Sequence, residues 1–419
     1  MLARSAVVPL VVAATSIVAP ALLAAQPELA DTVGTLELSR ELDARGNLGG
    51  VTIDRLGFVY VANFRDALWK ISPEGDVELV TRGLYGSSGN AVGPSGELYQ
   101  ANFFGDTISR ISRTGEVARF ADEGLEGPVG IAVADDGTLY VCNCRGNFVA
   151  AVSPSGTVSR LVEGDFFACP NGIVFGPDER LYVTNFNNHD ILRVSTDGEA
   201  EVFATVPGGA GNAHIAFAKD FFFVTKIIAH QLVRVSLEGE VFPLAGTGRP
   251  GHDDGPAPEA TLTNPNGIAV SPRGDVLYVN TVDGTYSGNQ PSKVRLRTVE
   301  LLTLTDLLDA AQEEGGVEAL EAAYRRYHRD PVRGREDTVA EMVAYGYRHL
   351  SGGQIPAALA IFRLNAEANP EVPAAQYNLG EAYRYTGQTE AAIVQYERTL
   401  ALDPEHRLAR SRLAQLGDG

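Results

Sequence analysis

A strand motif that recurs through the first three hundred residues restricts the fold of this chain more than any other feature. Each copy is a short apolar and aromatic segment after a turn, as in "GFVYVAN", "GTLYVCN" and "ERLYVTN". The six copies end 39, 41, 42, 41 and 55 residues apart, at Asn63, Asn102, Asn143, Asn185, Lys226 and Thr281. One more short strand precedes each motif and two follow the earlier ones. Four short strands in about 40 residues are typical of a β-propeller blade, so the sequence predicts six blades.

The two ends of this repeat region indicate how the ring closes. An open ring would leave an unpaired strand edge. The sixth repeat lacks an outer strand, because the chain turns helical after "KVRLRTVEL". The segment "GTLELSREL", residues 34–42, precedes the first repeat and belongs to no blade of its own. We therefore expect an all-β six-bladed β-propeller over residues 26–302, with residues 34–42 completing blade six.

The chain after residue 302 has a helical period. Six residues fit the spacing of a tetratricopeptide repeat, and the positions 34 residues earlier match them. The two sets are Leu379, Gly380, Tyr383, Ala392, Tyr396 and Pro404, and Tyr345, Gly346, His349, Ala358, Phe362 and Pro370. We expect a small all-α helical repeat domain over 303–419, with a degenerate helix pair at 304–330 and a terminal helix at 406–416. Such an array binds a peptide or protein in its groove; alternatively it packs on the propeller or forms a dimer.

The first 25 residues have the pattern of a secretory signal peptide. An uncharged apolar run follows Arg4 and ends in small residues, so we expect cleavage between Ala25 and Gln26. The alternative is a retained membrane anchor, but Pro9 and Pro20 favour cleavage. Since no other segment approaches about 20 apolar residues, we expect a secreted or periplasmic protein that does not associate with a membrane after cleavage.

The net charge argues against one class of partner. The formal charge at pH 7 is −19, and acidic residues outnumber basic ones both before Glu300 and from Glu300 onward. A phosphate backbone would be repelled by such a surface. We therefore expect no nucleic-acid partner.

Several propeller segments resemble known families. "GTGRPGHDDGPAPEATLTNPNGIAV" resembles an NHL repeat, whereas "GPVGIAVADDGTLYV" and "GPDERLYVTN" resemble the gluconolactonase (senescence-marker-protein) and virginiamycin B lyase propellers. The resemblance covers about residues 34–302. In the gluconolactonase family a Glu, an Asn of a "PNG" motif and an Asp hold a channel metal. Asn171 and Asn266 match the Asn, but the first blade has no matching Glu. The sequence indicates no certain cofactor; if the channel does hold a metal, the side-chain oxygens of Asn171 and Asn90 suit Ca²⁺.

Polar residues at one end of the propeller axis form the candidate ligand site. Because neighbouring strands of a blade are antiparallel, the second strands end on the face where the inner strands begin. The inner strands begin at Gly50, Asn90, Gly130, Gly172, His214 and Gly267. With the preceding Asn171 and Asn266, residues Asn90 and His214 should surround the mouth of the axial channel. The Asn that ends most second strands should instead cap the following turn.

Blade five departs from the repeat, which favours a functional role there. Lys226 replaces the Asn at the end of the second strand, His214 replaces a small residue, and His230 lies in the next loop, where blade four has His189. A cation beside an imidazole suits an anionic or carbonyl-bearing ligand. If the protein is an enzyme, His214 and Lys226 would be catalytic. The alternative is a decayed blade with a surface Lys and a satisfied His.

The three cysteines permit one disulfide bond. Cys144 and Cys169 fall on connections at the same face of adjacent blades, so we expect these two to be bonded, with Cys142 a buried free thiol. The alternative is that all three are reduced.

No complete catalytic constellation is visible in this sequence. We therefore expect a binding protein that presents a polar channel mouth to a small-molecule or peptide ligand and uses its helical repeats for a protein or peptide partner. The alternative is a metal-assisted hydrolase, lactonase or lyase on a gluconolactonase-like or virginiamycin-lyase-like propeller. Propellers host both kinds of function, so fold alone does not decide.

Overall fold

The computed structural model describes residues 30–43, 48–282 and 293–417. The predicted signal peptide lies outside these residues. In the described part of the chain, no helix has the length and apolar character that crossing a membrane requires.

Five blades are antiparallel sheets of four strands that follow one another in the chain. Blades one to three consist of Val51–Ile53, Val59–Ala62, Leu68–Ile71 and Val77–Thr81; Ser87–Val92, Leu98–Asn102, Thr107–Ile111 and Val117–Ala121; and Pro128–Val133, Leu139–Asn143, Phe148–Val152 and Val158–Glu163. Blades four and five consist of Pro170–Phe175, Leu181–Asn185, Asp190–Val194 and Ala200–Thr205; and Asn212–Ala218, Phe221–Lys226, Gln231–Ser236 and Val241–Ala245. The second strands are buried on both faces, which explains their nearly continuous apolar sequences.

Blade six joins the two ends of the propeller. Its strands Ile268–Val270, Val276–Val282 and Lys293–Glu300 are followed by the N-terminal strand Thr32–Leu36, which pairs antiparallel with Lys293–Glu300. Two short pieces extend the sheet, Gly255–Pro256 beside the N-terminal strand and Leu42–Asp43 beside Lys293–Glu300. The N-terminal segment thus occupies the outer position of blade six. The observed strand ends at Leu36, whereas the prediction extended it to residue 42. Beyond Leu36 the backbone N–H of Ser39 donates to the carbonyl of Gly75 in blade one.

The apolar core of the propeller lies between neighbouring blades. Between blades three and four, for example, Tyr140 and Val149 pack with Ile173 and Leu192. Equivalent clusters lie between blades two and three and between blades four and five. Each blade therefore buries both faces against its neighbours.

Six helices follow the propeller. They are α1 (Leu304–Arg329), α2 (Val339–Ser351), α3 (Ile355–Ala368), α4 (Pro373–Tyr385), α5 (Thr389–Leu402) and α6 (Arg407–Gly417), with a 3₁₀ turn at Arg333–Arg335. Helix α1 is broken at Gly315 and Gly316, as a helix pair would require.

The helical repeat depends on two matching contacts between a glycine and an aromatic ring. A Cβ atom on Gly346 would lie 2.6 Å from Phe362, and one on Gly380 would lie 2.8 Å from Tyr396. Glycine therefore lets α2 pack closely on α3, and α4 on α5. This explains the 34-residue spacing of these residues in the sequence.

The start of the helical region packs against the propeller. Arg333 forms a buried ion pair with Asp31, and the Arg335 guanidinium lies 3.0 Å from the Glu238 carboxylate of blade five. The backbone of Asp337 donates to the Asp220 carboxylate at 2.9 Å. The segment between α1 and α2 therefore packs on the propeller, which was one of the alternatives considered for the helical region.

Candidate functional site

A ring of glycines surrounds the axis where the inner strands begin. Five blades have glycine at this level and blade five has a histidine: Gly50, Gly89, Gly130, Gly172, His214 and Gly267. A Cβ atom would lie 2.8 Å from the Cα of Gly89 if placed on Gly50, and 2.3 Å from the carbonyl oxygen of Asn171 if placed on Gly130. At the five glycines the strands approach each other so closely that a side chain has no room.

The predicted position of Asn90 in this ring is wrong by one residue. Strand pairing places Asn90 opposite Gln100, at the level where Ile131 and Ile173 face their own second strands. Gly89 therefore occupies the ring, and Asn90 lies one level further from the mouth. Its Nδ2 is 3.4 Å from Oε1 of Gln100, while its Oδ1 is buried with no hydrogen-bond partner among the described residues.

A cavity of about 490 Å³ opens above the ring, and we call it the mouth cavity. Much of its apolar wall comes from one position in the repeat, the residue directly after the last residue of each strand motif. In blades one to five these residues are Phe64, Phe103, Cys144, Phe186 and Ile227. Apart from Cys144, these wall residues are not among the site residues predicted from the sequence. The recurring dipeptide "NF" was the sequence signal for them, since it places an aromatic residue after the motif's last Asn.

Polar groups complete the wall of the mouth cavity. They belong to Ser88, Asn171, His214, His230, Asn264 and Asn266. The side-chain amide of Asn266 is occupied, since it donates to the carbonyls of Leu48 and Gly49. Nδ1 of His230 accepts the backbone N–H of Asn264 at 3.1 Å. The Oδ1 atom of Asn171, by contrast, is buried with no hydrogen-bond partner in the described part of the chain.

His214 is the polar group at the base of the mouth cavity. Its residue is only 9% exposed, and burial lowers the pKa of the imidazole to about 4. The ring is therefore neutral at pH 7. Within residues 30–43, 48–282 and 293–417, no protein group hydrogen-bonds to it. A neutral imidazole can both donate and accept a hydrogen bond, so His214 can bond to a ligand.

Two residues predicted for this site lie elsewhere. Lys226 is 1% exposed and its ammonium group donates to the carbonyl of Pro207, so it does not line the mouth cavity. Asn185 donates to the carbonyl of Phe166 in the same way, also across 19 residues. Lys226 thus takes the structural role that Asn has in blade four. His189 is exposed and does not line the cavity either.

The Asn residues that end the second strands have structural contacts. Oδ1 of Asn63 accepts three backbone N–H groups of the next turn, each at 3.0 Å. Asn143 accepts from the backbone of Glu126 at 2.8 Å. Asn63 therefore caps the following turn as expected. Asn143 instead holds the connection that leads into the inner strand of its own blade.

The cysteines pair as expected from their positions in the repeat. Cys144 and Cys169 form a disulfide bond that connects blade three with the entry to blade four, and both residues line the mouth cavity. Cys142 is a buried free thiol, and burial raises its pKa. The bond therefore forms part of the cavity wall.

The side chains around the axis do not match a Ca²⁺ site. Asn171 and Asn90 lie on different levels, on either side of the glycine ring. No carboxylate lines the mouth cavity, and the described residues contain no cluster of three or more His, Cys, Asp or Glu that could hold a metal ion. Calcium prefers carboxylate oxygens, so nothing in the function proposed below depends on a metal.

Comparison with known proteins gives two family matches. Residues 58–253 match the virginiamycin B lyase family, and residues 373–416 match a tetratricopeptide repeat. The fold is a six-bladed β-propeller followed by tetratricopeptide repeats, and part of the propeller is similar to the virginiamycin B lyase family. No curated protein matches the chain significantly.

Solved structures of this propeller class align with about two thirds of the chain. A streptogramin B lyase is 15% identical, with 65% of this chain and 100% of that chain aligned and a TM-score of 0.50. A proposed gluconolactonase is 16% identical over 66% and 96% of the two chains, with a TM-score of 0.51. An auxiliary nutrient binding protein from Bacteroides ovatus is 18% identical over 65% and 77%, with a TM-score of 0.53. At these identities the likeness shows the fold alone.

Proposed function

We propose that the propeller binds a small, uncharged and largely apolar ligand in the mouth cavity. One observation carries this proposal: among the described residues, the wall of the cavity contains aromatic, aliphatic, amide and neutral imidazole groups but no charged side chain. Of the two ligand types expected from the sequence, anionic or carbonyl-bearing, this wall disfavours the anionic one, because that expectation depended on Lys226.

The size and the apolar wall of the cavity suit a small molecule. About 490 Å³ lies within the range of small-molecule sites, which is about 300–1,000 Å³. Removing apolar surface from water contributes about 25 cal/mol per Å². The apolar wall residues, which include Phe64, Phe103 and Phe186, can supply this contribution by covering an aromatic or aliphatic part of the ligand.

The polar groups at the base favour a neutral hydrogen-bonding function in the ligand. His214 can donate and accept, and Oδ1 of Asn171 can accept from an N–H or O–H group. A carbonyl, amide or hydroxyl group would satisfy them. A carboxylate would lose its hydration without gaining a cation, which is costly. The net charge of −19 also disfavours anions.

The remaining parts of the chain suggest a setting for this binding. The signal-like first 25 residues and the Cys144–Cys169 disulfide support export to an oxidising compartment, secreted or periplasmic. Tetratricopeptide repeats generally mediate protein interactions, and we propose a protein or peptide partner for the groove of α2 to α6. The partner, bound at the helices, would then lie next to a propeller that holds its ligand.

A lyase or hydrolase is the second candidate. It is favoured by the match of residues 58–253 to the virginiamycin B lyase family and by an unbonded imidazole at the base of the cavity. However, an imidazole with a pKa of about 4 is a weak base, and Lys226 is unavailable to assist it. A binding role therefore agrees better with this site, and a nutrient binding protein has the same fold.

A matched pair of variants in blade four tests ligand binding at the mouth. The neutral dye Nile red should bind the purified protein with a saturable rise in fluorescence. Phe186→Ala, in the cavity wall, should weaken this binding by tenfold or more. Val202→Ala, on the outer strand of the same blade and 54% exposed, should leave it unchanged. Equal effects of the two variants, or no binding by the unmodified protein, would contradict the proposal.

A further inference from the structure

Blade five alone carries a side chain in the glycine ring. A Cβ atom placed on Gly172 would lie 2.7 Å from the Cα of His214, so the two residues stand side by side at the same level. In the other five blades this level contributes only backbone. The imidazole of His214 is thus the one side chain that the ring itself can place at the axis.

A second cavity lies directly below the ring. This axial cavity measures about 230 Å³, and the inner strands form its wall, with Val51, Ile131, Ile173 and Ile268 at one level. Of all residues in the described chain, only His214 lines both the mouth cavity and the axial cavity. The imidazole therefore lies between the two spaces.

The backbone of His214 is held in place while its ring is not. Its N–H donates to Oγ1 of Thr225 at 3.0 Å, and the Thr225 hydroxyl also contacts the carbonyl of Asn266 in the next blade. No described protein group hydrogen-bonds to the imidazole. The contacts that fix this residue are thus made by its backbone, and the ring is available as a wall of either cavity.

We infer that His214 is the floor of the ligand cavity and determines how deeply a ligand can enter the propeller. The inference rests on the proposed function, since it concerns a ligand of the same mouth cavity. Without the imidazole, the two cavities would join into one axial channel. An apolar chain could then extend past the ring and contact the side chains of Val51, Ile131 and Ile268.

The substitution His214→Gly restores the residue that the other five blades use, so the variant should fold. We suggest a series of neutral N-alkyl acetamides from ethyl to decyl, measured by isothermal titration calorimetry. For the unmodified protein the affinity should stop rising once the alkyl group fills the mouth cavity. For the variant it should keep rising over several further carbons, by about fourfold for each buried methylene. Identical dependence on chain length in both proteins would overturn the inference.

A thermal stability measurement that uses no ligand of the mouth cavity separates this inference from the proposed function. Free imidazole should refill the space in His214→Gly and raise its melting temperature in a saturable manner. It should not raise that of the unmodified protein or of His189→Gly, which removes an exposed imidazole. If no acetamide binds either protein but imidazole stabilises His214→Gly alone, the proposed function is wrong, but His214 still forms the floor between the two cavities. If imidazole has no selective effect, His214 is not this floor.

A second variant covers the case in which glycine loosens the strand. His214→Ala keeps a Cβ atom and removes only the ring. It should show the same extended dependence on chain length and the same response to imidazole, though weaker. If His214→Ala behaves like the unmodified protein, the imidazole is not the floor.

Discussion

Asp31 and Arg333 form a buried ion pair that connects the residue before the closing strand of the propeller with the turn after helix α1. The second carboxylate oxygen of Asp31 binds Arg234 of blade five, and the first also accepts the backbone N–H of Leu302 at 2.9 Å. One carboxylate therefore holds together the closing strand, blade five and the helical domain. Ring closure and docking of the helices are physically coupled here.

The first prediction concerns the loss of this carboxylate. Asp31→Ala leaves Arg234 and Arg333 buried near each other without their shared partner, so it should lower the free energy of unfolding by about 3–5 kcal/mol. Urea denaturation followed by circular dichroism measures this. The control Asp66→Ala removes a half-exposed pair with Arg82 and should cost less than about 1 kcal/mol. Comparable small losses in both variants would contradict the coupling.

The second prediction is a dependence of stability on pH. Burial raises the pKa of Asp31, but the charges of Arg234 and Arg333 outweigh burial, so the pKa lies below its usual value of 3.8. A carboxyl with a lowered pKa stabilises the fold above its unfolded pKa and loses this effect as the pH falls through its folded pKa. The stability difference between the unmodified protein and Asp31→Asn should be constant from pH 7 to 5 and shrink below pH 4. A difference that grows on acidification would show that the pKa is raised instead.

The third prediction separates structure from binding at Lys226. Because its ammonium donates to the carbonyl of Pro207 as Asn185 does to Phe166, Lys226→Asn restores the amide donor of blade four and should change stability by less than about 1 kcal/mol. Lys226→Met leaves that carbonyl unpaired and should cost about 1–3 kcal/mol. Neither variant should change ligand affinity. A tenfold loss of affinity in Lys226→Asn would restore the functional role expected from the sequence.

The fourth prediction concerns the cysteines. Titration of the denatured, unreduced protein with Ellman's reagent should find one free thiol, and three after reduction, because Cys144 and Cys169 are bonded and Cys142 is free. Removing the bond in the double variant Cys144→Ser, Cys169→Ser should cost about 3 kcal/mol, since it closes a loop of 25 residues. Three free thiols before reduction would rule the bond out.

The repeated architecture could be predicted from the sequence because it depends on patterns that recur. The period of about 40 residues predicted the blades, and the unpaired edge of the sixth repeat predicted an N-terminal strand. The 34-residue spacing of Gly346 and Gly380 predicted the helical repeats, since each glycine admits an aromatic ring.

The site was predicted less well because it depends on single-residue register and on side-chain reach. Aligning Asn90 with glycines misplaced it, since blade two has the order Gly–Asn where blade four has Asn–Gly. Lys226 differs from Asn in charge but makes the same bond to a carbonyl. Neither fact can be read from the period of the repeat, because both are decided by local contacts.

The affinities of phenylacetamide and phenylacetate at pH 7 decide whether the mouth cavity prefers an uncharged ligand, since these two probes share a shape and differ in charge. Calorimetry should show the amide binding at least tenfold more tightly than the carboxylate. His214→Ala and Asn171→Ala should each weaken binding of the amide, whereas His189→Ala should not. Equal or tighter binding of phenylacetate, or no binding of either compound, would contradict an uncharged ligand in the mouth cavity.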